Sequence, residues 1–205
     1  MINRRTRNLG DSHNLSCQLL SSRTKTYRKL ALMLPGAGYN CDMPLMYYIS
    51  QWIATNYADL LQVRQYNGSY TNILQARNQI QNEKIYTQQL WVAKSMGTSI
   101  TANFLNQKQI PQSTPIVWLT PLVRSQNVFQ AINNNPNPSL IIIGTQDQHY
   151  HPQTLKTLQK RPNVTSLIIP DATHSLEYRD KSKVLNSLQI MENIIKELAT
   201  FLSNM

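Results

Sequence analysis

Short apolar runs alternate with stretches of helical periodicity along most of this 205-residue chain. That alternation is typical of βαβ units, which build a mostly parallel sheet with helices on both faces. Residues 15–20 are interpreted as one antiparallel edge strand. The runs that predict the other strands are 28–34, 60–63, 89–93, 115–120, 139–143 and 166–169. The pattern therefore predicts an α/β fold.

Helical spacing predicts four further elements. Pro44 stands where a first helical turn would begin, a polar helix is expected over 70–84, a short one around 126–132, and a long one over 181–202. In the last helix, apolar residues recur at steps of three and four, which predicts core packing: Val184, Leu188, Met191, Ile195, Leu198 and Leu202. Because one short helix at most fits between Thr120 and Pro138, no substantial lid domain is expected.

Length and composition favour one domain over 1–205, with 1–25 as a peripheral N-terminal segment. The chain is 41% hydrophobic and 15% charged, which is ordinary for a globular protein. No run approaches the roughly 20 apolar residues that a membrane helix needs, and the basic N-terminus has no apolar stretch behind it. We therefore expect a cytoplasmic protein without a membrane span. Cys17 and Cys41 are expected to be reduced thiols, since their spacing suggests no metal site.

The formal net charge of +10 raises the possibility of an anionic partner, since summed charge concentrates counter-charged molecules. Apart from Arg4, Arg5 and Arg7, however, the basic residues are scattered and no basic run carries interleaved aromatic residues. Specific nucleic-acid binding is therefore not expected. Binding to nucleic acid or to a membrane surface would require the positive charges to gather on one face.

Ser95 is the most informative residue of the chain, because it directly follows an apolar strand and precedes a predicted helix start. On such a strand-to-helix turn a serine can act as a nucleophile, and the positions two residues to either side must be small. Here they are Ala93 and Gly97, so the motif is A-x-S-x-G instead of G-x-S-x-G. The alternative is an ordinary serine that caps the helix.

Asp147 and His174 are the candidates for the acid and the base that would activate this serine. Each lies past the end of a different predicted strand, and open parallel sheets place ligand sites at the carboxyl ends of their strands. A serine hydroxyl needs such a base and such an acid to become reactive at neutral pH. The chain order Ser, Asp, His is the order found in one large class of hydrolases.

Other residues compete for these roles. His149 and His151 lie close to Asp147 in sequence and are expected in a loop or at a pocket rim, while His13 is expected at the surface. Asp171 shares a loop with His174 but lacks the strand-end position of Asp147.

The oxyanion that forms during acyl transfer requires backbone N–H donors. The N–H after the nucleophile belongs to Met96, and the loop after the first central strand offers Ala37, with Gly38 as the next choice. A plain tight turn is the alternative interpretation of that loop. Substrate contacts are expected from Gly38, Tyr39, Lys94, Thr120 and Pro121. Lys94 could attract anionic substrates or could simply be a solvated side chain.

Four motifs together carry a resemblance to a known family: L-P-G-A-G-Y from Leu34, A-K-S-M-G-T from Ala93, G-T-Q-D from Gly144 and A-T-H-S-L from Ala172. In these motifs the chain resembles the small, lidless α/β-hydrolases related to dienelactone hydrolases and short carboxylesterases. The resemblance covers nearly the whole chain from about residue 28. It differs from many relatives at Pro35, where they have a histidine.

The resemblance implies an α/β-hydrolase fold and a serine hydrolase that cleaves an ester or thioester of a small molecule, with no cofactor and no metal. The alternative function is a non-catalytic protein of the same fold that serves as a partner-binding scaffold. The sequence is compatible with a monomer or a dimer.

Overall fold

The computed structural model describes residues 4–9, 17–64, 66 and 71–205. Its strands are β1 (Arg4–Leu9), β2 (Cys17–Ser22), β3 (Lys29–Leu34), β4 (Asp59–Val63), β5 (Gln88–Lys94), β6 (Ile116–Leu119), β7 (Ser139–Gly144) and β8 (Val164–Ile169). Its helices are α1 (Pro44–Asn56), α2 (Thr71–Glu83), α3 (Met96–Asn106), α4 (Gln126–Asn134), α5 (Pro152–Leu158) and α6 (Val184–Ser203), with a 3₁₀ turn at Lys181–Lys183 before α6.

The strands form one eight-stranded sheet in the order β1-β2-β4-β3-β5-β6-β7-β8. β2 pairs antiparallel with β1 and with β4, whereas β3 and β4 are parallel, as are β6 and β7, and β7 and β8. The predicted mostly parallel sheet with helices is thereby confirmed.

The chain divides into two compact units, Met1–Trp91 and Val92–Met205. The boundary falls within β5, and the two units are described separately below. The expectation of a single domain stays a prediction.

In the N-terminal unit, the described part of the first 25 residues forms two strands. β1 was not expected, because three of its six residues are arginines, which carry little strand signal. Residues 15 and 16 of the expected edge strand lie outside the described residues, as do His13 and Tyr70. β2 is antiparallel as expected, but it is not at the edge because β1 pairs with it. The expectation of an edge position was therefore wrong.

The core of the N-terminal unit is mostly apolar. All residues of β4 are buried, and α1 buries Leu45, Ile49 and Ile53, which fits the predicted spacing from Pro44. Cys17 and Cys41 are buried and free, as expected. Burial raises the pKa of each thiol to about 12, so both are held as neutral, weakly reactive groups.

In the C-terminal unit, the short strands β6 and β7 are completely buried. β6, β7 and β8 are parallel and pair in register, so their carboxyl ends lie at one edge of the sheet. The chain segments that follow them, 120–125, 145–151 and 170–178, are therefore brought together. α4 occupies the interval between β6 and β7 as the predicted short helix, and α5 was not predicted.

α6 differs from the expected core stripe. Its buried residues are Ser187, Ile190, Met191, Ile194, Leu198, Phe201 and Leu202, whereas Val184 and Leu188 are 60% and 48% exposed. The prediction that these two residues pack in the core was wrong. The periodicity identified the helix but could not tell which apolar face the first turns bury, because apolar residues occupy two adjacent faces there.

Gly144, the last residue of β7, lies where two chain segments approach closely. A Cβ atom added there would be 2.0 Å from the carbonyl oxygen of Ala172 and 2.5 Å from its carbonyl carbon. By contrast, a Cβ added at Gly38 would have no atom within 4 Å. The close approach holds the 145–151 segment against the 170–178 segment.

We expect Gly144→Ala to lower the free energy of unfolding by about 1–3 kcal/mol, because the Ala172 backbone has to move. The matched variant Gly38→Ala should change it by less than about 0.5 kcal/mol. Urea unfolding followed by fluorescence of the tryptophans measures both. Equal effects of the two substitutions would contradict the close approach at Gly144.

Candidate active site

Ser95 occupies a strained turn between β5 and α3. Its φ is 51° and its ψ is −115°, a region that is costly for a residue with a side chain. The turn is held by hydrogen bonds from Ser95 N–H to the Leu119 carbonyl (3.0 Å) and from Thr98 N–H to the Ser95 carbonyl (2.9 Å). Ala93 and Gly97, the small residues expected on either side, are buried. The Ser95 hydroxyl does not cap the helix, so the capping alternative is wrong.

The Ser95 hydroxyl instead lies 2.8 Å from Nε2 of His174, and Nδ1 of the same ring lies 2.8 Å from Oδ2 of Asp147. A carboxylate can only accept, so the Nδ1 atom carries the proton and Nε2 is free to accept from the serine hydroxyl. The three side chains come from segments 27 and 79 residues apart. The structure thus brings together the three side chains that the sequence predicted as nucleophile, base and acid.

The Asp147 carboxylate is fully buried and hydrogen-bonded at both oxygens. Its Oδ2 atom accepts from His174, and its Oδ1 atom accepts from the His149 backbone N–H at 2.8 Å. Burial by itself raises the pKa of Asp147, but these hydrogen bonds outweigh it and the pKa is lowered. The carboxylate is therefore ionised at neutral pH and can orient the His174 ring.

Backbone hydrogen bonds align the segments that carry Asp147 and His174. The N–H of Thr145 donates to Ile169 O (3.0 Å), and the N–H of Gln146 donates to Ala172 O (2.9 Å). The Thr145 hydroxyl accepts from Asp171 N–H at 2.8 Å. These hydrogen bonds align the two turns without any contribution from the side chains of Asp147 and His174.

The competing residues occupy other positions. The His149 ring lies against the His174 ring, with centroids 5.4 Å apart, and burial is the main reason that its pKa is lowered. His151 caps α5, where its Nδ1 atom accepts from Thr154 N–H at 3.3 Å. Asp171 is exposed, and its backbone bonds Thr145. The carboxylate hydrogen-bonded to His174 is that of Asp147.

Lys94 requires a correction. Its side chain is neither solvated nor turned to a substrate: the residue is 0% exposed, and its ammonium donates to the Thr120 hydroxyl at 2.8 Å and to the His174 carbonyl at 2.7 Å. Burial lowers the pKa of Lys94 to about 8, although Asp147 and Glu177 oppose this shift. Lys94, which directly precedes Ser95, is therefore hydrogen-bonded to the backbone of His174.

Thr120 likewise differs from the expectation that it lines the pocket. It is 0% exposed, has a φ of 45°, and its hydroxyl accepts from Lys94. Its side chain is thus buried and hydrogen-bonded to Lys94. Pro121 is also buried, and its role in substrate contact stays a prediction.

The predicted oxyanion donors lie in different units. Met96 opens α3, and the first four N–H groups of a helix have no acceptor within the helix. Within the N-terminal unit, the 35–40 segment turns through a hydrogen bond from Gly36 N–H to Tyr39 O at 3.1 Å, with Ala37 and Gly38 exposed. The Tyr39 hydroxyl accepts from Leu45 N–H at 3.1 Å. The roles predicted for Ala37, Gly38 and Tyr39 stay predictions.

Sequence reasoning missed a cavity of about 340 Å³ in the C-terminal unit. It is lined by Val123, Arg124, Gln126, Phe129, His151 and Thr154. Arg124 donates from Nη2 to the Tyr150 carbonyl at 3.2 Å, which places its guanidinium beside the segment that carries Asp147. His151 was expected in a loop or at a pocket rim, but no motif marks the other five lining residues, because they come from separate elements.

The donor atoms of Asp147, His149 and His174 lie within 4.8 Å of one another, close enough to hold a metal ion. A metal on these atoms would compete with the hydrogen bonds already described, because Nδ1 of His174 and both oxygens of Asp147 are engaged in them. The contacts therefore favour the hydrogen-bonded series over a metal site.

Known structures resemble this fold over almost the whole chain. The α/β serine hydrolase without a lid, XC6422 from Xanthomonas campestris, has a TM-score of 0.70 at 13% identity, covering 100% of this chain and 95% of its own. The Pyrococcus furiosus esterase Pf2001 has a TM-score of 0.69 at 14% identity, covering 99% and 90%. Est1E from Butyrivibrio proteoclasticus has a TM-score of 0.66 at 13% identity, covering 95% and 99%.

No protein-family model matches the chain, and no curated protein matches it significantly. At such low identity the structural likeness shows the fold, which is the α/β-hydrolase fold that the motifs predicted. In the part of the chain that the structure describes, we find no helix that could span a membrane.

The burial of Lys94 predicts a pH dependence of stability. The folded pKa of about 8 lies below the ordinary lysine pKa of 10.5, so between these values the unfolded chain binds more protons and stability rises with pH. The gain should total about 3 kcal/mol and be absent in Lys94→Met. Urea unfolding of both proteins from pH 7 to 11 measures this difference in the free energy of unfolding. The buried thiols change the stability of both proteins in the opposite direction, so their effect cancels in the difference. Parallel curves for the two proteins would contradict the burial of a titrating ammonium.

Proposed function

We propose that this chain, which has the α/β-hydrolase fold, is a serine hydrolase that cleaves an ester or thioester of a small molecule through Ser95, His174 and Asp147. The observation that carries the proposal is the unbroken hydrogen-bonded series from the Ser95 hydroxyl through the His174 ring to the buried Asp147 carboxylate. Two of the structural neighbours are named as an esterase and as a serine hydrolase, which is in keeping with the proposal.

In the proposed reaction, Nε2 of His174 takes the hydroxyl proton as the Ser95 oxygen attacks the carbonyl carbon. The leaving alcohol or thiol departs with that proton, and an acyl group remains on Ser95. Water, deprotonated by the same ring, then attacks the acyl carbonyl carbon. The bond to Ser95 breaks, the ring returns its proton to the serine oxygen, and the acyl group leaves as a carboxylic acid. Asp147 keeps the ring in the required tautomer and stabilises its positive charge.

The negative charge on the carbonyl oxygen needs backbone donors during both steps. Met96 N–H is proposed as one donor because it follows Ser95 at the start of α3, where helix N–H groups lack internal acceptors. Ala37 N–H is proposed as the second. Without a lid, the site should favour short acyl groups. The cytoplasmic location and the absence of a specific nucleic-acid partner stay predictions.

The alternative, a non-catalytic scaffold of the same fold, fits less well. Ser95 is held at a costly positive φ, and backbone strain is commonly kept where it serves function. A scaffold has no use for an ionised, buried carboxylate that orients a histidine toward a serine.

Ser95→Ala should lower kcat on a short p-nitrophenyl ester by roughly four to six orders of magnitude, because it removes the nucleophile. Asp147→Asn should lower it by about four orders, because the ring loses its orientation. Steady-state kinetics measure both, and a fluorophosphonate probe should label the wild type on Ser95 and leave Ser95→Ala unlabelled.

The matched control is Ser99→Ala, which removes another half-buried hydroxyl from the first turns of α3. It should keep both activity and labelling. Full turnover by Ser95→Ala, or labelling of a different residue, would refute the proposal.

A metal-dependent hydrolase is the rival that the same donor atoms suggest. The proposed mechanism needs no metal, so EDTA should leave the rate of ester hydrolysis unchanged. Zinc ions should inhibit, because they would compete for His174 and Asp147. Loss of activity on chelation, restored by adding a divalent metal, would favour the rival.

A further inference from the structure

The first two turns of α6 expose an apolar cluster that the core does not use. Val184, Leu185 and Leu188 are 60%, 76% and 48% exposed, and their spacing places them within an arc of about 100° on one side of the helix. Single exposed apolar residues are common, but clusters mark interaction sites. In the described part of the C-terminal unit, Met205 is the one other large hydrophobic residue with comparable exposure.

Basic residues directly precede this cluster. Arg179, Lys181 and Lys183 are all exposed, and Lys183 stands 5.4 Å from the centre of the Tyr178 ring. The intervening acidic residue, Asp180, is hydrogen-bonded within the same segment, since its Oδ1 atom accepts from the backbone N–H of Ser182 at 2.9 Å. The stretch 179–188 therefore combines a positive charge with an exposed aliphatic face.

We propose that Arg179, Lys181, Lys183, Val184, Leu185 and Leu188 form a docking surface for an anionic lipid bilayer, here called the basic-apolar surface. Exposed aliphatic side chains can enter the boundary between headgroups and acyl chains, while adjacent lysines and arginines are attracted to anionic headgroups. Neither the insertion of aliphatic side chains nor the attraction to headgroups requires a partner whose shape matches the surface, which fits a surface of only six residues.

Other occupants fit the same residues less well. A two-fold contact between copies of this chain would bring the cations of both copies into one interface, which costs free energy. A stable protein partner usually covers about 800 Å² on each side, far more than three aliphatic side chains present. Single-stranded nucleic acid is bound by stacking on aromatic rings, and the cluster is aliphatic.

The basic-apolar surface is joined to the segment that carries His174. The N–H of Tyr178 donates to the Ser187 hydroxyl of α6 at 3.0 Å, and the N–H of Thr173 donates to Glu177 O at 2.9 Å. A bilayer seated on this surface would lie next to the segment bearing the proposed base. The inference itself does not depend on the proposed reaction.

The test is sedimentation of the full chain with vesicles of phosphatidylcholine alone or with added phosphatidylglycerol. The wild type should bind the anionic vesicles and not the neutral ones, and binding should weaken as salt is raised from about 0.05 to 0.5 M. Leu185→Ser with Leu188→Ser, and separately Lys181→Gln with Lys183→Gln, should each lower the vesicle partition coefficient by about tenfold or more.

Matched controls separate this surface from general stickiness and charge. Ile85→Ser removes an aliphatic side chain that is 83% exposed elsewhere, and Lys156→Gln with Lys160→Gln removes two exposed lysines; both should bind like the wild type. Thermal unfolding should show that all variants stay folded. Because no reaction is measured, the result stands apart from the test of the proposed hydrolase.

Three results would overturn the proposal. The first is no binding of the wild type to anionic vesicles at low salt. The second is equal loss in the control pair Lys156→Gln, Lys160→Gln, which would assign binding to overall charge. The third is a dimer in size-exclusion chromatography that Leu185→Ser with Leu188→Ser dissociates, which would assign the apolar cluster to a second copy.

Discussion

The hydrogen bond between His174 Nδ1 and Asp147 Oδ2 is the contact on which the candidate site depends. It joins two turns that follow neighbouring parallel strands and that approach each other closely at Gly144 and Ala172. The bond fixes the ring tautomer, and the tautomer decides that the other ring nitrogen accepts from Ser95. One hydrogen bond between these two turns thus orients the ring toward a serine 79 residues before the histidine.

Buried charge is the second constraint on the site. Asp147 is ionised because hydrogen bonds outweigh its burial, and Lys94 is enclosed with its ammonium on the backbone of His174. Such groups are costly to bury and become more costly if a partner is removed. They hold the segments around Ser95 and His174 in one arrangement, which a reaction requiring fixed donors and acceptors needs.

α6 shows that one helix can serve two purposes. From Ile190 onward its apolar residues lie mainly on the face that packs in the core, whereas its first turns carry an exposed aliphatic face beside basic residues. The regular spacing of apolar residues that makes a helix amphipathic also reveals this second face in the sequence. The sequence does not reveal which face meets water, because that depends on where the neighbouring elements end.

The sequence by itself determined the α/β fold class, the order of most strands and helices, and the residues Ser95, Asp147 and His174 as candidates, because periodicity and strand-end position are local properties. Tertiary structure alone decided that the three side chains meet, that Lys94 and Thr120 are buried supports, that β1 forms the sheet edge, and that Val184 and Leu188 stay exposed. These outcomes depend on burial and on contacts between residues far apart along the chain, and no local pattern encodes either.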